Sequence, residues 1–174
     1  MAPALDGFRS LSALCENPTA TAMPPLEHRL QVVERSAIVT FTPSQMFALV
    51  ADVARYPEFL PWCSGSSVQV VSDTERLASV QVARGVLRTE FTTRNTLRPD
   101  AQISMLLVDG PFRSLIGDWR FEAIAERGSR IRFHVEFEFK NRLTSMALSA
   151  AFETVCRTII DAFVLRAQEI YGQG

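Results

Sequence analysis

Residues 143–171 read LTSMALSAAFETVCRTIIDAFVLRAQEIY, with no proline and no glycine before Gly172. Leu148, Phe152, Val155, Ile159, Phe163 and Ile170 recur at intervals of three, four or seven, which places them on one face of a helix. Met146, Ile160, Val164 and Ala167 widen that stripe beyond a coiled-coil seam. Glu153, Arg157 and Asp161 alternate in sign at i, i+4 on the opposite face. A long helix with so broad an apolar side needs an extended surface to cover it. The small residues Ala147, Ala150 and Ala151 crowd its first half. They admit two arrangements, close packing on a sheet or space left for a cavity.

Working back from the helix, the preceding residues supply the partner surface. Ile131, Phe133, Val135, Phe137 and Phe139 alternate with Arg130, Arg132, His134, Glu136, Glu138 and Lys140, the period-two pattern of a strand with one wet face. Trp119, Phe121 and Ala123 mark another strand, opposite Asp118, Arg120 and Glu122. Ile103, Met105 and Leu107 alternate with Ser104, Leu106 and Val108, so that strand is apolar on both faces. Threonine-rich residues 91–97 and the run Ala78, Val80, Val82 read as two more. A further strand starts near Ser67. Asp73-Thr74-Glu75, Gly85, Pro99-Asp100 and Gly128-Ser129 supply turns. Connections this short make neighbouring strands antiparallel.

The first strand spans about residues 29–41, with Val33, Arg35, Ala37, Val39 and Phe41 on one face. Thr42, Pro43 and Gln45 then form a helix-start signal with a capping box. The segment YPEFLPWC at 56–63 carries two prolines four apart, which limit it to a turn or short helix. Its aromatic residues are either a plug beneath the sheet or one wall of a pocket. Residues 1–27 show no apolar period and are read as a disordered tail, with Met23 an alternative start. The domain is expected over 28–174. The expected architecture is α+β, a curved antiparallel sheet of about seven strands around a long C-terminal helix, with two short helices after the first strand.

The 174 residues carry a formal net charge of −1. That balance disfavours a nucleic-acid binder relying on bulk charge, and DNA is not an expected partner. Three scattered cysteines, Cys15, Cys63 and Cys156, do not make a disulfide framework and fit a cytoplasmic setting. His28 and His134 are the only histidines, and no cluster has metal-ligand spacing. There is no nucleophile elbow and no phosphate loop. No catalytic residue, metal or catalytic cofactor is expected. Residues 110–117, GPFRSLIG, set Phe112, Leu115 and Ile116 between two glycines. Either they fold over the core, or they form an exposed tip that meets a membrane surface or a partner, with Arg113 reaching phosphate.

Four stretches in this order resemble a known family. YPEFLPWC at 56–63, VDGPFRSLIGDWRF at 108–121, FEFKNRL at 137–143 and AFVLRAQEIYG at 162–172 are similar to segments of START-like, helix-grip proteins. Within that superfamily they resemble the coenzyme Q-binding proteins and the bacterial ribosome association toxins, over roughly residues 30–172. Trp62 leans toward the first group. Residues 107–109 and 91–95 lean toward the second.

One branch implies binding of ubiquinone or a similar polyprenyl lipid in the barrel, in support of respiration. The other implies binding of the large ribosomal subunit and a block on subunit joining. A cyclase-type enzyme is the most distant reading. For a lipid tail the expected walls are Phe59, Val82, Met105, Leu107, Phe137 and Phe152, with Trp62, Phe112 and Ala151 beside them. Tyr56 and Trp119 are the expected hydrogen-bond donors to a head group. Arg94, Arg113, Leu115 and Ile116 are the expected contacts to the ribosome or to the inner membrane, at which the chain would be peripheral.

Overall fold

The computed structural model describes residues 30–124, 128–141 and 145–172. The expected tail, the alternative start at Met23, His28, and the first residues of the long apolar stretch, Leu143 and Thr144, lie outside them.

Seven strands form one antiparallel sheet. They are β1 (Gln31–Val39), β2 (Cys63–Val70), β3 (Glu75–Arg84), β4 (Leu87–Arg98), β5 (Gln102–Asp109), β6 (Phe112–Ala123) and β7 (Ser129–Phe139). The order across the sheet is β1-β7-β6-β5-β4-β3-β2, so six strands follow in sequence and β1 closes against the last. Helix α1 (Pro43–Ala51), a 3₁₀ turn (Val53–Arg55) and the short α2 (Tyr56–Phe59) lie between β1 and β2, and α3 (Ser145–Tyr171) ends the chain. The capping box at Thr42 is formed: its hydroxyl accepts from Gln45 N at 3.2 Å, and Gln45 Oε1 accepts from Thr42 N at 2.9 Å.

Helix α3 lies against the inner face of the sheet. Phe152, Val155, Cys156, Ile159, Ile160, Phe163 and Ala167 are buried there. Met146 and Ile170, counted into the stripe from spacing alone, are exposed, because they sit near the helix ends, beyond the sheet's cover. Arg35 on β1 points inward, as its parity predicts, and its guanidinium lies 3.9 Å from Asp161 on α3.

Two boundaries differ from the sequence reading. β2 begins at Cys63 rather than near Ser67, directly after Trp62, whose carbonyl accepts from Ala83 N at 2.8 Å. Residues 110–117 do not form a projecting tip. The turn is only Gly110-Pro111, with Gly110 at φ 140°, where a Cβ would come within 2.7 Å of Phe91 Cβ. From Phe112 onward the chain is β6. A bulge between Phe112 and Ser114 inserts one extra residue, so Phe112 and Leu115 both face inward and both are buried. Leu115 is therefore no contact for membrane or ribosome. Ile116 points the other way and is exposed.

Candidate functional site

The inner face is divided along its length. At the Gly110 end, Phe91, Phe112, Phe137, Phe139 and Phe152 form one aromatic cluster; the Phe112 ring is 4.4 Å from Phe139 and 5.0 Å from Phe152, centre to centre. Further along lies a cavity of about 70 Å³. Tyr56 and Trp62 bound it on one side, Met105 and Trp119 come from the sheet, and Phe152, Cys156 and Ile159 come from α3.

Of the residues expected to bind a ligand, Tyr56, Trp62, Met105, Trp119 and Phe152 line this cavity. The others do not. Val82, Leu107 and Phe137 have the expected inward parity, but each lies one inward position beyond the lining residues Val80, Met105 and Val135. Phe112 is consumed by the aromatic cluster. Ala151 is half-buried on α3, off the cavity. Phe59 lies outside, at 5.2 Å from the Phe163 ring, with the Arg166 guanidinium 5.3 Å above its own. Leu115, expected at a contact surface, lines the cavity instead.

Two cavity residues escaped the sequence reading. Thr93 and Asn95 are buried on β4, and the Thr93 hydroxyl donates to Asn95 Oδ1 at 2.7 Å. Their odd numbers match Phe91 and Leu97, so inward parity was the available signal. The Asn95 amide nitrogen and the Trp119 indole nitrogen meet no acceptor among the described residues. They are the candidate donors at this site. Tyr56 is not, because its hydroxyl donates to Val50 O at 2.7 Å.

Burial raises the pKa of the titratable groups here. The Tyr56 phenol is pushed far above its ordinary 10.0, first by desolvation and then by Cys63 and Asp52. Desolvation likewise pushes the Cys156 thiol well above 9.0, and Cys63 is raised for the same reason. Protonated, buried thiols are poor nucleophiles. Among the described residues no group of three or more His, Cys, Asp or Glu is placed to hold a metal ion.

Trp62 also lines an outer groove of about 550 Å³, together with Phe59, Pro61, Arg84, Ala162 and Leu165. It is the partition between groove and cavity. Arg166 of α3 ties this wall to α2 through Glu58 at 2.7 Å. On the opposite, outer face of the sheet, Leu106, Val108 and Ile116 are exposed. Arg94, Leu106 and Ile116 stand in one row across β4, β5 and β6. Arg94 pairs with Glu75 at 3.6 Å, and Arg113 with Glu138 at 3.5 Å. No helix among the described residues is long and apolar enough to cross a membrane.

Comparison with known proteins follows the same lines. Residues 39–164 match the family described as polyketide cyclase / dehydrase and lipid transport. A protein of Vibrio cholerae serotype O1 named Ribosome association toxin RatA is 43% identical over 144 residues, covering 83% of this chain and 100% of the relative. A mitochondrial coenzyme Q-binding protein, COQ10 homolog B of Xenopus laevis, is 30% identical over 156 residues, covering 87% of this chain and 64% of the relative. The Zhui aromatase/cyclase of a Streptomyces species shares the fold, with a TM-score of 0.74 at 15% identity over 84% of this chain and 99% of its own. With its seven-stranded sheet gripping α3, the chain belongs to the START-like polyketide cyclase / dehydrase and lipid transport family, alongside ribosome association toxins and coenzyme Q-binding proteins.

Proposed function

We propose that this protein acts by binding the ribosome, at its large subunit, and hinders the joining of subunits, without catalysing a reaction. The observation that carries this reading is the match to the full length of a relative named for ribosome association. The geometry supports it by what the interior lacks. Ligand pockets commonly enclose about 300–1,000 Å³, whereas the cavity here is about 70 Å³. A polyprenyl quinone does not fit without a large rearrangement. Around the cavity the titratable groups Tyr56 and Cys156 are held protonated and the other polar residues, Thr93 and Asn95, do not titrate, which supports a binding role over acid–base chemistry.

The test is sedimentation of the purified protein with ribosomes and isolated subunits through a sucrose gradient. Comigration with large subunits, and an increase in free subunits at the expense of whole ribosomes, are the expected results. Protein left at the top of the gradient with an unchanged ribosome profile would remove this reading.

A second reading, binding of a ubiquinone-like lipid, is favoured by one feature. Asn95 and Trp119 line the cavity, and Trp62 lines both it and the 550 Å³ groove. Displacing that side chain would join the two spaces. Mass spectrometry of an organic extract of natively purified protein distinguishes this reading by a stoichiometric quinone.

A further inference from the structure

The strand registers bring together residues that are far apart in the chain. Ser36 of β1 stands opposite Arg132 of β7, Arg132 opposite Arg120 of β6, Arg120 opposite Gln102 of β5, and Gln102 opposite Arg98 of β4. The five form one straight file on the outer face, crossing the sheet at right angles to the strands. At roughly 4.8 Å per strand the file is about 19 Å long. None of its members is apolar, and the guanidinium groups of Arg120 and Arg132 are about half exposed.

Arginines directly opposite one another destabilise a sheet, and Arg120 and Arg132 are such a pair. Four arginines here share two carboxylate partners, and Glu34 adds a third carboxylate at the edge of the groove beside them. Arg98, Arg120, Arg130 and Arg132 meet only Asp118 and Glu122: Asp118 holds Arg120 at 2.7 Å, and Glu122 is shared by Arg132 at 3.4 Å and Arg130 at 4.0 Å. Arg98 has no ion pair among the described residues, only a bond to Gln102 at 3.4 Å. A guanidinium has five N–H donors, so Arg120 keeps most of its own after Asp118 is satisfied. The middle of the file opens into a surface groove of about 600 Å³, which the neighbouring row Glu34, His134 and Asp118 also lines.

We infer that this file is a cradle for a sugar–phosphate backbone of RNA, and that it is the face the protein presents to ribosomal RNA. The inference rests on the ribosome reading above and adds the surface and the chemistry. Arg98, Arg120 and Arg132 take phosphate oxygens, while Ser36 and Gln102 supply neutral hydrogen bonds between them. An anionic membrane is the weaker match, because the file offers no apolar side chain to enter a bilayer. Binding of this kind positions without reading sequence and weakens steeply with salt.

The experiment measures binding of the full chain to purified large subunits across a salt series, for the wild type, for the triple variant Arg98→Gln/Arg120→Gln/Arg132→Gln, and for Arg55→Gln/Arg157→Gln, two exposed arginines off the sheet. The wild type is expected to bind, the triple variant to bind at least about tenfold more weakly with a salt slope lower by roughly one per arginine removed, and the second variant to match the wild type. Thermal unfolding of the triple variant is expected at or above the wild-type midpoint, because the opposed pair is relieved, and this separates lost contact from lost fold. If the wild type binds and the triple variant keeps the same affinity and slope, the cradle is overturned and the ribosome reading stands. If the wild type does not bind large subunits, both fall. Arginine-dependent binding to phosphatidylglycerol vesicles with none to the subunit would overturn the RNA assignment in favour of a membrane.

Discussion

The two faces of the one sheet obey different rules. The inner face is packed ring against ring, with Phe112, Phe137, Ile131 and Phe163 wholly withdrawn from water. The outer face of the same strands exposes Leu106, Val108 and Ile116 at one end and sets arginines opposite one another at the other. Both surfaces use the same alternation, so the contrast does not come from backbone geometry. The inside is shaped by the stability of the chain. The outside carries features that stability does not require, and in some places disfavours. Function is better sought on that side.

The strongest way to test this contrast is to delete an inner ring. Phe112→Ala is expected to cost about 3–5 kcal/mol, which denaturant unfolding would read as a large fall in midpoint. A cost below about 1 kcal/mol would mean that the aromatic cluster is loosely packed and the comparison misplaced. The Thr93–Asn95 pair sharpens the point from within the core. If it exists for a ligand rather than for the fold, Thr93→Val/Asn95→Leu should be neutral within about 1 kcal/mol, or stabilising, because both partners of the hydrogen bond leave together. Thr42→Ala removes a cap at the edge of the inner layer and is expected to cost about 1 kcal/mol. Smallest of all, Leu106→Ser/Ile116→Ser on the outer face should change stability by no more than about 0.5 kcal/mol per site. A loss as large as that of Phe112→Ala would erase the distinction.

A pH series probes the inner face separately. The folded state holds the Cys156 thiol above its ordinary 9.0, so above that pH the unfolded chain releases a proton that the folded chain retains. The associated stability is fully present below about pH 9 and is lost as pH rises further. Cys156→Ala should flatten part of this alkaline loss, measured as the unfolding midpoint between neutral pH and pH 10.

Much of the fold was legible in local pattern. The alternation in β7 assigned its faces correctly, and the capping box fixed the start of α1. Residues 143–171 announced a helix needing a sheet. The misreadings share a cause, since each depended on where a neighbouring strand lay. The bulge that turns Phe112 and Leu115 inward is a property of the β6–β7 pairing. Val82, Leu107 and Phe137 were inward but beyond the cavity, because depth along a strand is set by what covers it. The file of Ser36, Arg132, Arg120, Gln102 and Arg98 has no signature in a linear sequence, whose only global electrostatic statement was a net charge of −1.

The position of β1 has a kinetic consequence. Strands β2 to β7 can zip in the order of synthesis, each onto the one before. β1 cannot, because its partner is β7, so that Gln31 meets Phe137 across more than a hundred intervening residues. Closing so long a loop is entropically slow, and sheets dominated by distant pairings fold late. On a growing chain, β1 must therefore wait without its partner until nearly the whole protein has been made, while the free edge of β7 remains open to a β1 from another molecule. Exchange of that strand between molecules is the misassembly to which this topology exposes the chain, and crowded nascent chains favour it.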